Sequence, residues 1–191
     1  MLVFCLVYLP ILAGWIAFKH YYTHPLACTG AKLAALSTDA ELAHCHYSKG
    51  SVNATFVRIV VTPAGVYPAH SGVVLDDNRY TFNVPITLAM LIVTTVLMRI
   101  SWRAWSKALA ALILGHLLYT YACFLFQLGF FKARIGGVIY SSTPPVAVQL
   151  FWDFCRSMLI RFEPFLILAV LILVHSLTTA KNKAGEAETS K

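Results

Sequence analysis

The strongest constraint on this chain lies between Pro85 and Phe131. Two apolar segments, ITLAMLIVTTVLM and ALAALILGHLLYTYACFLF, flank a short basic turn, RISWRAWSK. Hydrocarbon offers no partners for backbone N–H and C=O groups, so a segment that enters it must satisfy them internally, as a helix does. The turn carries Arg99, Arg103 and Lys107 beside Trp102 and Trp105, a mix of charge and aromatic anchor that suits a lipid–water boundary. The pattern predicts a membrane hairpin.

Composition supports that reading. Hydrophobic residues make up 59% of the 191 positions and charged residues only 12%, with mean hydropathy +0.70. Soluble domains average about 25% charged residues. The net charge of +7 is spread along the chain, mostly beside apolar segments. Contact with anionic headgroups accounts for it better than nucleic-acid binding, which is not expected. The five cysteines show no CxxC spacing, so no zinc-ribbon or thioredoxin signature is present.

The expected fold is mainly α and integral to the membrane. It comprises four transmembrane helices, a small extracytoplasmic α/β insert and an interfacial amphipathic helix. Residues 1–18 form the first span, about 27 Å at about 1.5 Å per residue. No Lys or Arg precedes this run and Lys19 follows it, which favours an uncleaved span over a signal peptide, with Pro10 as a kink site. Residues 19–84 hold the outward segment: a short interfacial helix over Pro25–Leu36, a strand over Ser51–Val61 and a turn at Thr62–Gly65. Two further strands, Gly72–Leu75 and Arg79–Val84, surround a hairpin turn at Asp76-Asp77-Asn78. Residues 85–98 and 107–129 are the second and third spans, joined by a basic cytoplasmic turn over 99–106. An outward loop and amphipathic helix fill 130–162. In that helix Val146, Leu150, Phe154, Met158 and Phe162 recur at four-residue steps, with Gln149, Asp153, Arg156 and Ser157 on another side. Residues 163–180 are the fourth span and 181–191 a polar, disordered cytoplasmic tail. Basic residues in the short turn and the tail place both on the cytoplasmic side. Trp152, Arg156 and Arg161 join Arg99, Trp102, Arg103, Trp105 and Lys107 as membrane-interface residues.

Candidate chemistry is sparse, and each candidate has a structural counterpart. His24, Cys28, His44, Cys45 and His46 are the densest set of soft ligands, suited by type to zinc or copper. Their spacing fits no metal template, and on a strand Cys45 faces away from His44 and His46. Contact of these histidines with headgroups and water is favoured over a metal. Cys28 and Cys45 both fall in the outward segment, where an oxidising compartment would let them pair; two reduced, partly buried thiols are the other reading. A nucleophilic Cys28 would need a base or cation within reach; the sequence offers His116 inside a span and Arg99 at an end on the opposite face, and a nucleophile is not favoured. His116, Gln127 and His175 lie within spans, where a neutral His bonded to a neighbouring helix is the usual case. Glu163 sits beside Arg161, and Asn53-Ala54-Thr55 matches a glycosylation acceptor.

In local wording the chain resembles the small membrane proteins encoded beside exosortases, in particular the exosortase H-associated type. Leu9-Pro10 in the first span, Asn78-Arg79-Tyr80 at the end of the outward segment and Val84-Pro85 opening the second span carry the likeness. Pro164-Phe165 leading the closing span, the Trp-bearing turn and a Pro-rich stretch look similar too. The resemblance implies a non-catalytic accessory to a protein-sorting transpeptidase; separately, a cell inner membrane is the expected location. The expected role is thus an accessory or structural subunit with a polytopic membrane partner, without a cofactor. The small residues Ala108, Ala110, Ala111 and Gly115 would permit close helix approach. A subunit of a metal-dependent membrane enzyme using the His/Cys cluster, or a transporter component, is the alternative. A mitochondrial inner membrane is the alternative location.

Overall fold

The computed structural model describes residues 2–63, 65–77, 81–130, 132–135 and 138–189. The chain is mostly helical. In order it forms α1 (Leu2–Leu36), β1 (Ala40–Ser48), β2 (Ser51–Thr62), β3 (Gly65–Asp76), α2 (Val84–Met98), α3 (Trp102–Gly129), β4 (Lys132–Ile135), β5 (Val138–Ser141), α4 (Val146–Phe154), a π-turn (Cys155–Leu159) and α5 (Ile160–Thr189). Helices over Val3–Leu36, Trp102–Gly129 and Val146–Leu177 are long and apolar enough to cross a membrane. With 15 residues, α2 is apolar but reaches only about 22 Å, short of a hydrocarbon core of about 30 Å.

Contacts divide the chain into two units. The first, here the bundle unit, takes Met1–Ile16, Asn83–Leu114 and Phe162–Lys191; the second, the lobe, takes Ala17–Phe82 and Gly115–Arg161. In the bundle unit Ala104, Ala108 and Leu112 follow one another at helical steps on α3. They cluster with Leu91 of α2, Ile100, and Ile167 and Leu171 of α5. Much of the rest of this unit's apolar surface faces outward: Val3, Leu6, Leu9, Val96, Leu97, Phe165 and Leu173 are all exposed. That inversion is what lipid as solvent allows.

The lobe is built on a three-stranded antiparallel sheet in the order β1-β2-β3. Lys49 and Gly50, both at positive φ, make the two-residue turn between β1 and β2, a geometry whose twist matches the flanking strands. Alternation on β2 buries Val52, Ala54 and Phe56, opposite Leu75, Val73 and Ser71 of β3. That face meets helices from α1 and α3: Phe56 and Phe124 lie 5.9 Å apart. On α1 the small residues Ala27, Gly30, Ala31 and Ala34 are buried in this core. A Cβ on Gly30 would come within 2.4 Å of Thr120 Oγ1, so α1 and α3 cross at close range there.

Several expected boundaries are corrected. The first span does not end at residue 18, nor is Pro25–Leu36 a separate interfacial helix. One helix runs through Lys19, Pro10 and Pro25 to Leu36, because its small-residue stripe is buried in the lobe core. It ends where Ser37 and Thr38 turn their hydroxyls onto the carbonyls of Leu33 and Ala34. The strand expected at Gly72–Leu75 is the end of a twelve-residue β3, which accepts Pro68 because it lies at the sheet edge. No strand occupies 81–84: Thr81 is helical and Val84 opens α2. Asn78, Arg79 and Tyr80, like Ala64 and Gly136-Gly137, lie outside the described residues. The basic turn shrinks to Arg99–Ser101, since Arg99 takes the left-handed cap of α2 and Ser101 accepts from Ala104 N–H at the start of α3. The amphipathic helix and the closing span are not separate either. The π-turn carries α4 directly into α5, which continues through Pro164 and through the expected disordered tail to Thr189.

Candidate functional site

The lobe contains an open cavity of about 810 Å³, within the range of about 300–1,000 Å³ usual for ligand sites. One wall is the end of β3, at Val74, Leu75 and Asp76. A second comes from α3, through Tyr119, Phe126 and Gln127. The third is the α4–π-turn segment, through Trp152, Arg156, Ile160 and Arg161. Trp152 forms the apolar floor. It is buried, stacks on Phe126 at 5.6 Å and meets Tyr119 at 5.3 Å. Arg156 and Arg161 are exposed at the rim, and neither has an ion-pair partner among the described residues.

The π-turn explains why both arginines line one cavity. Residues five apart on an α-helix stand about 140° apart. Here the Ile160 N–H donates to the Cys155 carbonyl, an i→i+5 bond that widens the turn. The wider turn carries Arg161 round toward the face that Arg156 occupies. Such single π-turns occur frequently at functional sites.

A second polar centre lies elsewhere in the lobe. The Asp77 side chain is fully buried; it accepts from Lys19 Nζ at 3.2 Å and from the Tyr47 hydroxyl at 2.5 Å. Its backbone accepts from Thr81 Oγ1, and its N–H donates to Gly50 O. Burial first, then the hydrogen bond to Asp77 and the charge on it, push the Tyr47 phenol up from 10.0 to about 12. The network joins α1, the β1–β2 turn and the end of β3.

The soft-ligand candidates divide. His24, Cys28 and Cys45 come together, their ligand atoms within 4.8 Å of one another. Cys28 and Cys45 are disulfide-bonded, with Cα atoms 5.8 Å apart, so neither offers a thiolate to a metal in this state. His44 and His46 are exposed and stand apart from that group. His116 is buried in α3 and joined to the Tyr22 hydroxyl of α1 by a 2.7 Å hydrogen bond. Of the interface residues, Trp102 is 74% exposed and stacks on Trp105 at 5.0 Å, with Arg103 and Lys107 exposed on the same opening turns of α3. Arg99 is exposed too, at the helix cap. Trp152, in contrast, faces the core instead of the interface.

Comparison of the chain with protein-family models, with curated proteins and with solved structures found no match. The site therefore has to be read from its own geometry. Two of its features escape sequence reasoning. Asp77 passes for a turn residue in Asp76-Asp77-Asn78, and only the distant Lys19 and Tyr47 reveal it as a buried anchor. The partnership of Arg156 with Arg161 is hidden by their spacing, which on a regular helix separates them.

Proposed function

We propose that the protein is a non-catalytic accessory subunit of a membrane complex, carrying a lobe that docks a polytopic partner on the extracytoplasmic side. The observation that supports this most is the β2–β3 ribbon. Pairing with β1 stops at Ala40–Arg58, so among the described residues no third strand pairs with Ile59–Thr62 and Gly65–Pro68. An isolated two-stranded ribbon is marginal in water. This one nevertheless presents Ile59 (66% exposed), Val61 (74%) and Val66 (63%) on one face with Pro68. An apolar face on a marginal ribbon suits a protein contact.

In this reading the chain crosses a cell inner membrane four times, with α2 as a short second span that tilts its neighbours or thins the bilayer. The Cys28–Cys45 bond fits an oxidising compartment for the lobe. The likeness to exosortase H-associated proteins would make the partner an exosortase-type transpeptidase. Affinity purification in mild detergent tests the role. A stoichiometric membrane partner should co-purify and be lost with Ile59→Ser/Val61→Ser; a chain that runs alone, or a partner retained by that variant, overturns it. Topology is tested by thiol labelling of Val61→Cys and Arg103→Cys in a Cys5→Ser background, which should react from opposite faces of the membrane.

The gathering of His24 with Cys28 and Cys45 favours one second reading, a metal-dependent enzyme subunit active when the disulfide is reduced. Metal analysis of reduced protein, with and without Cys45→Ser, separates the two. Equal metal content in both removes this second reading.

A further inference from the structure

We propose that the lobe cavity is a binding site for an anionic phospholipid, with the phosphate held between Arg156 and Arg161 and the acyl chain lying against Trp152, Tyr119 and Phe126. Charge argues for the head. The cavity lining holds two guanidiniums and one carboxylate, that of Asp76, so its net character is positive. Arginine's planar fork suits phosphate oxygens, which it can meet with two parallel N–H donors. Tyr119 and Phe126 each lie within about 6 Å of Trp152, and these rings argue for the tail, since they make an apolar floor that a free anion would not need.

The occupant's source is also indicated. The arginine-bearing wall belongs to the continuous helix Val146–Leu177, long and apolar enough to cross a membrane. Its outer row, Val146, Leu150, Phe154 and Met158, is exposed at 53–70% while the opposite side forms the cavity. A helix that runs on into a candidate membrane span and carries arginines on its cavity side has phospholipid within reach. The inference is independent of the docking role of the β2–β3 ribbon. It needs only membrane residence, which carbonate extraction checks separately.

The experiment is native mass spectrometry of the full, delipidated chain in mild detergent. Probes are phosphatidylglycerol, phosphatidylcholine of the same acyl length, and inorganic phosphate. The expected result is one saturable phosphatidylglycerol per chain, bound about tenfold or more tighter than phosphatidylcholine. R156Q/R161Q should lower that affinity by about tenfold or more, and R156K/R161K, which keeps the charge but not the fork, by a smaller factor. Trp152→Phe should weaken both lipids to a similar degree. Equal affinity for the two lipids overturns the proposal, whatever the variants do. So does displacement of phosphatidylglycerol by millimolar phosphate, which marks a free-anion site. Unchanged selectivity in R156Q/R161Q overturns it as well, provided that the variant retains the Cys28–Cys45 bond on a non-reducing gel. A variant that loses that bond is set aside, and the lipid selectivity of the native chain decides.

Discussion

In the bundle unit the core is Ala104, Ala108 and Leu112 meeting Leu91, Ile167 and Leu171, with leucines and phenylalanines left facing outward. In the lobe the core around Phe56 and Phe124 is laced by a disulfide, by the Arg58–Asp39 pair and by the Lys19–Asp77–Tyr47 network. On the proposed reading the same sequence uses two sets of rules because it serves two solvents, lipid around the bundle unit and water around the lobe. Lipid tails are as apolar as a leucine, so burial alone drives little helix association there and close packing of small residues must do it. The lobe does gain from burial. Covalent and polar ties supplement it.

Cutting a tie should therefore loosen the lobe and spare the bundle unit. The largest effect belongs to the disulfide. Cys28→Ser/Cys45→Ser opens a loop of 17 residues, a loss of about 3 kcal/mol. Limited proteolysis in mild detergent should then cut β1 and β2 rapidly while segments of α2 and α5 stay protected. Equal protection of both would mean that the lobe holds itself without the bond.

Next comes Asp77→Ala, expected to cost about 2–3 kcal/mol because Lys19 and Tyr47 are left beside a buried gap. The same network has a pH signature. The folded Tyr47 keeps its proton to about pH 12, whereas the unfolded phenol releases it near 10.0. Between those values the folded state binds more protons, so stability is whole below about pH 10 and falls as the pH rises through the window. Thermal unfolding across that range should show the decline in the native chain and a flatter profile in Tyr47→Phe. An identical slope in both would remove Tyr47 as its source.

The two solvents also decide what could be read from the sequence. Lipid imposes long apolar runs, and these are legible: the helices at Val3–Leu36, Trp102–Gly129 and Val146–Leu177 stand out by composition. Their ends are not. Lys19 and Pro25 mark boundaries to hydropathy, yet α1 continues because Ala27, Ala31 and Ala34 find a sheet to pack on, a contact far away in sequence. Ser51–Thr62 is legible as a strand from its β-branched residues. AELAHCHYS is not, since it becomes β1 by pairing with β2 and not by propensity. The apolar row at Val146, Leu150, Phe154, Met158 and Phe162 is visible in the sequence and proves to be the exposed side. The cavity on the other side depends on a π-turn, which leaves no recognised signal in residue type.

A smaller effect tests how tightly the lobe's helices must approach. A methyl at Gly30 meets Thr120 Oγ1 at 2.4 Å, Thr120 Cβ at 2.9 Å and Tyr121 N at 3.0 Å. Gly30→Ala should therefore cost about 1–2 kcal/mol, in spite of alanine's better helix propensity. Adding Thr120→Ala removes the nearest atom and should restore part of the loss. Full tolerance of Gly30→Ala would show that α1 and α3 can separate without penalty, and the lobe would then resemble the loosely held partner in this contrast.

The smallest stability effect is expected where the exposed apolar surface is not lipid-facing by any sequence argument. Val61 is 74% exposed near the end of the ribbon and pairs with Val66. Val61→Ser should shift the lobe's unfolding by no more than about 0.5 kcal/mol, because little burial is lost and no polar group is stranded. In the bundle unit an exposed leucine such as Leu173 gives the same small number for another reason, since lipid replaces the contact. The two are told apart by what else changes. Leu173→Ala should leave partner capture intact, whereas Val61→Ser should weaken it at unchanged thermal stability. Capture that follows Leu173 and ignores Val61 would move the docking surface from the ribbon to the helices.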